Sequence, residues 1–303
     1  MRHGDLDAVR FSEEVADALA ERRPVVALES TVYSLLGLPA PHNAEALDRS
    51  LSVIRASGAT PAVTAVVDGT VRVGVEVADH ERILAADAKV AERDLPVAVG
   101  LDWPVGVTTV SASLAIAARA GIRVFATGGI GGVHRDVDDT GDVSADLGAL
   151  ARHRVCCVSA GAKSFLDLPR TLEVLETLGV PVIGFGTDHF PAFWVRSSGV
   201  PLSHRVDDPA AAAAIAAHAT TGVLVANPCP EADALTAEVV DAAIAEALAE
   251  AEEEGVRGGA VTPLVLARVA AATGGATLPA NVALVESNAR LATLIATAPP
   301  LTD

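Results

Sequence analysis

IRVFATGGIGGVHR (residues 122–135) opens the stretch that decides the fold, which continues through TGDVSADL (140–147) and ends with RVCCVSAGAKS (154–164). The first and third pieces begin with short apolar runs rich in branched side chains, which is typical of buried strands in a parallel sheet. The middle piece leads into a segment, residues 144–153, that is predicted to be a helix. A strand, a helix and a second strand in this order indicate an α/β fold with parallel strands.

The same alternation extends over the rest of the chain. Asp68 and Gly69 stand between two predicted strands and predict a hairpin, so some pairing is expected to be antiparallel. We therefore expect an α/β fold, a three-layer α/β/α sandwich with a mostly parallel mixed sheet, in a single domain (1–303) with a loose tail (1–9). The other predicted strands are 24–30, 61–67, 70–73, 97–100, 181–186 and 222–228, and the other predicted helices are 11–22, 43–56, 79–90, 108–120, 163–178, 209–219, 234–254, 262–275 and 281–296.

Composition excludes some classes of function. The formal net charge of −17 argues against a nucleic-acid-binding surface, although a few local positive groups could still hold a small phosphorylated substrate. The three cysteines lack metal or redox spacing, and the N-terminus has no apolar signal core. No run approaches the roughly 20 apolar residues of a membrane span. We expect a soluble, cytoplasmic protein without nucleic-acid or membrane partners.

Lysine is rare in this chain: Lys89 and Lys163 are its only two lysine residues. Arginine carries nearly all of the positive charge, so these lysines are candidates for chemistry that a permanently protonated guanidinium cannot perform. Lys163 follows the small residues AGA (160–162), which would let a substrate carbonyl approach; a desolvated lysine with a lowered pKa is the usual imine-forming nucleophile. The alternative is a snorkelling or phosphate-pairing lysine. Lys89 is better interpreted as a phosphate anchor or an ion-pair partner.

Three further polar features follow predicted strands, where ligands bind in open α/β sheets. Glu29 follows VVAL, the GGIGG cluster (128–132) follows IRVFAT, and Asn227 follows GVLVA. Glu29 is either a general acid/base, since apolar surroundings raise the pKa of a carboxylate, or one member of a salt bridge. The glycine cluster is either an anion-binding or substrate loop or a tight turn.

Asp142 and Asp146 are spaced four residues apart at a predicted helix start, so we expect them to share a face. Such carboxylates suit Mg²⁺ or Mn²⁺, which are often held by one or two carboxylates and several waters. They also suit a helix N-terminus without any metal. The spacing alone favours this interpretation without a metal.

Taken together, the motifs of this chain resemble those of the pseudouridine-5'-phosphate glycosidase family, also called the indigoidine synthase A-like family. The resemblance runs in the same order from about Glu13 to Ala296. It is carried by PVVALEST, KVAERDLP, GVTTVSAS, FATGGIGGVHR, DVSADL, SAGAKSFLD, FPAFWVRSS, VANPCPE, TPLVLARVAAATGG and NVALVESNA.

The resemblance implies an α/β/α sandwich, a homotrimer and reversible cleavage of the C–C glycosidic bond of pseudouridine 5'-phosphate into uracil and ribose 5-phosphate. It implies that Lys163 forms the imine with the ring-opened sugar and that Glu29 is the general acid/base. Asp142 would hold Mn²⁺, largely through waters. The residues that the resemblance places against the substrate are Lys89, Val110, His134, Ser144, Ala145, Asp146 and Asn281.

Two other functions are compatible with the same residues. One is an imine-forming aldolase or lyase that acts on another sugar phosphate, which the altered loop SLLGLPAP (34–41) would favour. The other is a non-catalytic sugar-phosphate binding protein, against which the retention of both lysines argues. The loop GLDWPVG (100–106) and Gly141 also differ from the family pattern, and these changes affect recognition of the base more than the class of reaction.

Overall fold

The computed structural model describes residues 9–256 and 261–301. Within these residues eleven strands join in one sheet. The strands are β1 Arg10–Phe11, β2 Val25–Leu28, β3 Thr60–Val67, β4 Thr70–Val73, β5 Lys89–Val90, β6 Val105–Thr108, β7 Val124–Ala126, β8 Cys156–Ser159, β9 Val182–Phe185, β10 Arg205–Val206 and β11 Val223–Ala226.

Twelve α-helices are found in the same described part of the chain. They are α1 Glu13–Ala20, α2 His42–Ala56, α3 His80–Leu84, α4 Leu95–Gly100, α5 Val110–Arg119, α6 Val137–Thr140, α7 Ala145–Arg152, α8 Leu168–Thr177, α9 Pro209–His218, α10 Ala237–Glu253, α11 Val261–Ala272 and α12 Thr277–Ala296. None of them is both long enough and apolar enough to cross a membrane.

The sheet is mixed and mostly parallel, as predicted. Its main path is β1-β4-β3-β2-β7-β8-β11-β9-β10, with β6 attached to β3 and β5 attached to β6. Only the pairs β3–β4 and β3–β6 are antiparallel among the described strands. The consecutive neighbours β2, β7 and β8 are parallel, so their carboxyl ends open onto one edge of the sheet.

Helices pack against the sheet in two sets. The first set is centred on α12, which packs on β2, β7 and β8 with α2 and α9 beside it. The second is centred on α5, which contacts β2, β3 and β7 and packs against α7. Most residues of α12 are buried, many of them alanine, because this helix lies between the sheet and its neighbours. These layers confirm the predicted α/β sandwich.

Strand β3 is shared by two different neighbours along one of its edges. Its first half, from Thr60 to Val63, pairs with β2, whereas Ala65 to Val67 pair with β6. The sheet therefore forks at Thr64. The chain leaves β2 at this fork, and the next residue is Glu29.

Several local predictions are confirmed. The hairpin between β3 and β4 turns at Asp68 and Gly69, both of which have positive φ, 48° and 64°. Ser12 begins α1 and Ser144 begins α7, each accepting a hydrogen bond from a backbone N–H of the first helical turn.

Three predicted elements are wrong. Lys89 does not lie in the last turn of a helix, because α3 ends at Leu84 and Lys89 pairs with Val107 in the two-residue strand β5. The apolar run at 97–100 is part of helix α4, since short apolar runs do not distinguish strand from helix and Pro96 in the first turn favours a helix start.

The third wrong element is the helix predicted at 163–178. Helix α8 begins only at Leu168, with the Asp167 side chain accepting a hydrogen bond from the Arg170 N–H and Pro169 in the first turn. Proline therefore helps to start this helix rather than interrupting it. As a result Lys163 lies in the loop between β8 and α8.

The predicted N-terminal tail lies almost entirely outside the described residues. Its last residue, Val9, packs against the core, so the tail does not extend that far. The assignment of the whole chain to one domain stays a prediction.

Candidate active site

Three predicted features meet at the carboxyl ends of neighbouring strands. Glu29 follows β2, the glycine cluster (128–132) follows β7, and Lys163 follows β8 after a short loop. Because these strands are adjacent and parallel, the residues that follow them converge on one edge of the sheet, where ligands bind in such folds. Asn227, after β11, has a different role described below.

Glu29 is a buried carboxyl group, with 7% of the residue exposed. Burial raises its pKa from the ordinary value of 4.5 to about 7. The positive charge of Lys163 and a hydrogen bond donated by the Thr127 hydroxyl oppose this rise. Glu29 is therefore able to gain or lose a proton close to neutral pH, which is the property of a general acid/base.

The Lys163 backbone is held by an extension of the β7–β8 pairing. The Lys163 N–H donates to the Ile130 carbonyl at 3.1 Å, and the Ile130 N–H donates to the Gly161 carbonyl at 3.0 Å. Gly161 has φ +73°, and a Cβ at this position would lie 2.1 Å from the Pro191 carbonyl oxygen. Only glycine fits there, so Gly161 serves the path of the backbone.

The glycine cluster lets neighbouring groups approach the backbone closely. A Cβ at Gly131 would lie 2.3 Å from the Ser144 hydroxyl oxygen, and one at Gly132 would lie 2.4 Å from that of Thr171. The N–H of Gly131 donates to Asp146 at 2.8 Å, so this amide is already engaged within the protein. Close packing, more than anion binding, explains these two glycines.

Asp146 joins three segments at the centre of the site. One carboxylate oxygen accepts from the Gly131 N–H, and the other accepts from the Ser111 N–H in the first turn of α5 at 2.9 Å. Its own N–H donates to the Ser144 hydroxyl. Val110, buried, is the first residue of α5, and Ala145, exposed, is the first of α7. The N-termini of both helices are therefore held together by Asp146, and the substrate contacts of these residues stay predictions.

Lys89 faces the same charges from the strand β5. Partial desolvation lowers its pKa, and the positive charge of Lys163 lowers it further, against the opposing effect of Asp146 and Asp142. The Lys89 side chain nevertheless remains accessible to solvent. The structure thus brings the only two lysines of the chain close to one another.

Asp142 and His134 form the outer part of the site. The Nε2 of His134 lies 3.8 Å from the Asp142 carboxylate, and the His134 N–H donates to the Asp142 carbonyl at 3.1 Å. Asp142 precedes Ser144, the N-cap of α7, so it does not share a helix face with Asp146 as predicted. It lies in the turn that follows α6.

The residues around Asp142 fit a metal ion only if water supplies most of its ligands. Within 9–256 and 261–301 there is no group of three or more His, Cys, Asp or Glu side chains placed to hold an ion. The Asp142 side chain is about one-third exposed, at 31%. One accessible carboxylate with open space around it suits Mg²⁺ or Mn²⁺, which retain several waters, better than Zn²⁺.

A narrow cavity of about 60 Å³ lies between Glu29 and Lys163. A volume of this size accepts a few water molecules. Helix α11 contributes Thr262 and Leu266 to the lining. The other lining residues are Thr31, Val32, Leu36, Gly37, Leu38, Gly128, Gly129, Phe193 and Asn281.

Sequence reasoning missed several residues that shape the site. Thr127 directly precedes GGIGG, but only the structure reveals its bond to Glu29. Asn288 donates to the carbonyls of Thr127 and Gly128, and Asn227 donates to Asn288, so Asn227 supports the glycine cluster from behind. Phe193 lines the cavity and lies in FPAFWVRSS, a motif whose sequence indicates no role for it.

Comparison with known proteins gives consistent results. A model of the family described as Indigoidine synthase A like protein matches residues 14–298. A protein of Methylobacterium nodulans named pseudouridine-5'-phosphate glycosidase is 51% identical, covering 98% of this chain and 89% of the relative. A protein of Myxococcus xanthus with the same name is 50% identical, covering 96% of this chain and 98% of the relative.

Two solved structures are similar over nearly their whole length. The prealnumycin C-glycosynthase AlnA, in complex with ribulose 5-phosphate, has a TM-score of 0.88 and 41% identity, with 98% of both chains covered. An indigoidine synthase A-like protein of Thermotoga maritima has a TM-score of 0.86 and 33% identity, again with 98% of both chains covered.

We expect Glu29→Gln to stabilise the folded protein above pH 7. Because folding raises the pKa of Glu29 from 4.5 to about 7, its stabilising contribution is complete below pH 4.5 and is lost as the pH rises through 7. The glutamine side chain stays neutral at every pH, so the variant should gain roughly 3 kcal/mol over wild type at pH 8 and almost nothing at pH 4.5.

Urea denaturation at both pH values measures this difference. Glu246→Gln, at an exposed position of α10, controls for the loss of one negative charge. If the two substitutions shift the free energy of unfolding equally at both pH values, the raised pKa of Glu29 is wrong.

Proposed function

The chain belongs to the indigoidine synthase A-like family, and we infer that it is a pseudouridine-5'-phosphate glycosidase, which reversibly converts pseudouridine 5'-phosphate into uracil and ribose 5-phosphate. Its relatives with that name are about half identical to it over nearly the whole chain. The observation that carries the inference is the meeting of Glu29 and Lys163 at one cavity, at the ends of the two parallel strands that flank β7. A buried acid/base beside an amine is the pair that this chemistry needs.

The bond to be broken joins two carbon atoms, so protonation of a leaving heteroatom is not enough. We propose that the C1'–O4' bond opens first, with protonated Glu29 donating its proton to O4'. The electron pair for this opening comes from the uracil ring, which leaves C1' electrophilic. The Lys163 amine then adds to C1' and gives up a proton. The raised pKa of Glu29 keeps a large share of it protonated at neutral pH, which supports its role as the donor.

Cleavage of the carbon–carbon bond follows from the amine now attached to C1'. The nitrogen lone pair forms the protonated C1'=N imine, while the electron pair of the broken bond stays on C5 of uracil and takes up the proton that Glu29 received from the Lys163 amine during addition. Water then hydrolyses the imine and releases ribose 5-phosphate and the Lys163 amine. Glu29, ionised after the first step, is available to receive the proton released during addition or hydrolysis.

We propose that the phosphate of the substrate binds beside Lys89. Its ammonium group is accessible to solvent, and the N-termini of α5 and α7 lie nearby, joined by Asp146. Helix N-termini and lysine both favour an anion. In a chain of net charge −17, Lys89 and Lys163 are the positive groups close to one another at this place, which supports binding of a dianion there.

We propose that Asp142 holds Mn²⁺ mostly through water, with His134 beside it. A bound divalent ion would add positive charge next to oxygen atoms of the substrate. Asp142 also restrains His134 through the backbone hydrogen bond between them. We further propose a cytoplasmic homotrimer, as the family resemblance implies, and light scattering of the purified protein would measure the number of subunits.

A different sugar phosphate remains the second candidate substrate. AlnA, which is similar over nearly the whole chain, is named a C-glycosynthase and was solved with ribulose 5-phosphate. The loop 34–41, which differs from the family pattern, contributes Leu36, Gly37 and Leu38 to the cavity lining. Equal or faster turnover of another sugar phosphate would favour this alternative.

We expect turnover to require the phosphate. The wild type should cleave pseudouridine 5'-phosphate with a kcat/KM on the order of 100-fold higher than for unphosphorylated pseudouridine, since charge-assisted contacts to the phosphate would be lost. Lys89→Ala should raise KM for the nucleotide about tenfold and leave the reaction of pseudouridine nearly unchanged. Comparable values for both substrates with the wild type would contradict the proposed substrate.

We expect Lys163 to form a covalent imine with ribose 5-phosphate. Borohydride added with the sugar phosphate should leave a reduced adduct, visible by intact-protein mass spectrometry, and peptide mapping should place it on Lys163. Lys163→Arg keeps the charge but lacks the nucleophile, so it should abolish turnover and adduct formation. Lys89→Arg is the matched control and should still trap the sugar. An adduct on Lys89, or an active Lys163→Arg, would refute the mechanism.

We expect turnover to depend on a divalent metal at Asp142. Chelation should lower kcat, and Mn²⁺ should restore it better than Zn²⁺ because the available ligands are oxygen and water. Asp142→Asn should abolish the response to added Mn²⁺, whereas Asp139→Asn, at an exposed position of α6, should retain it. Full activity of chelated wild type would exclude the metal.

A further inference from the structure

Asn281 and Trp194 are joined by a buried hydrogen bond at the wall of the cavity. The indole Nε1–H of Trp194 donates to Oδ1 of Asn281 at 2.9 Å. Trp194 is fully buried, and Asn281 is 6% exposed and lines the cavity together with Glu29 and Lys163. The bond therefore connects the protein interior to the place where the substrate would lie.

The chemistry of the indole fixes which end of the Asn281 amide faces the cavity. An indole N–H only donates, so the amide oxygen must point toward Trp194. The amide nitrogen is left on the other side, and within 9–256 and 261–301 no hydrogen bond from it is found, although the atom is not fully enclosed. The cavity wall thus presents an N–H donor at this point.

The backbone around Trp194 holds the indole in place. The N–H of Phe193 donates to the Ala160 carbonyl at 3.0 Å, and the Trp194 carbonyl accepts from the Leu235 N–H at 2.9 Å. Phe193 has φ +57°. Its ring packs against Gly129 so closely that a Cβ at Gly129 would lie 2.7 Å from the Phe193 Cδ2. The rings of Phe193 and Trp194 lie 4.9 Å apart. The indole has little freedom to turn and release the amide.

We propose that Trp194 is a positioning residue that orients the Asn281 amide so that its N–H₂ group donates to a carbonyl oxygen of the pyrimidine base. This inference rests on the proposed function. Uracil carries two carbonyl oxygens, both acceptors, and a fixed donor recognises an acceptor while rejecting a group that itself donates. Without the indole the amide could turn by 180° and present its oxygen instead.

Binding of uracil measures this orientation directly. Equilibrium dialysis with labelled uracil should give a Kd for Trp194→Phe that is roughly fivefold to tenfold weaker than for wild type, the effect of one neutral hydrogen bond. The change should disappear in the Asn281→Ala background, because Trp194 acts through Asn281. Additive losses would indicate that Trp194 serves packing alone and would overturn the inference.

A second variant covers the case in which Trp194→Phe does not fold. Asn281→Asp at pH 8 keeps an acceptor toward the indole and replaces the donor facing the cavity by an oxygen. It should weaken uracil binding by more than roughly tenfold, because two acceptors then face one another. Wild-type affinity of Asn281→Asp would overturn the inference.

The indole signals provide a readout that does not depend on activity. The chain has two tryptophans, so a ¹H–¹⁵N spectrum shows two indole N–H signals, and Trp103→Phe identifies them. Trp103 lies beside the turn at Gly69 and is not part of the cavity lining. Saturating uracil should shift the Trp194 signal and leave that of Trp103 in place. No shift of the Trp194 signal would overturn the inference.

The outcomes separate this inference from the proposed function. Suppose that uracil binding depends on Trp194 as expected, but that the wild type forms no nucleotide from uracil and ribose 5-phosphate. This result refutes the glycosidase function and supports the inference. If the wild type makes the nucleotide and Trp194→Phe has the same KM for uracil as the wild type, the inference is refuted and the glycosidase function is not. A wild type that binds no uracil refutes the inference as well.

Discussion

The fork of the sheet at Thr64 is the constraint on which the site depends. At Thr64 the neighbour of β3 changes from β2 to β6, so backbone groups at this point would lack hydrogen-bond partners inside the protein. A buried polar group without a partner costs roughly 1–3 kcal/mol. Buried hydroxyls replace those partners: Thr64 donates to the Leu28 carbonyl, Thr108 donates to the Thr64 carbonyl, and Ser30 accepts from the Thr108 N–H. The chain can therefore leave the sheet at Glu29 and direct this carboxyl group into the cavity.

Neighbouring charges affect the pKa values of Glu29 and Lys89. Burial raises the pKa of Glu29, and the ammonium of Lys163 and the Thr127 hydroxyl limit this rise to about 7. Burial lowers the pKa of Lys89, and the positive charge of Lys163 lowers it further. Glu29 can therefore gain or lose a proton near neutral pH, and this property depends on the shared edge of β2, β7 and β8, which buries it close to Lys163 and Thr127.

The sequence predicted the parts of this arrangement that depend on strand order. Glu29 was identified because it follows a short apolar run, and Lys163 because it is one of only two lysines; parallel strands bring the residues that follow them to one edge. Lys89 was placed in a helix because a two-residue strand leaves no periodic pattern. The roles of Thr127 and Trp194 were beyond prediction, since each depends on a partner about 90 to 100 residues away in the chain. Both residues lie in motifs shared with the family, FATGGIGGVHR and FPAFWVRSS, but the motifs do not indicate what either side chain does.

The polar groups around the cavity differ in whether the protein already uses them. Both oxygens of Asp146 accept from backbone amides, and Asn288 donates to two backbone carbonyls, so these side chains fix the loops before any ligand arrives. Dipoles fixed in advance need no reorganisation during the reaction. By contrast, no hydrogen bond from the Lys163 amine or the Asn281 amide nitrogen is found within the described residues, and both line the cavity. The groups left with unused hydrogen-bonding capacity thus face the cavity, which is why we propose Lys163 as the nucleophile and Asn281 as the donor to the base.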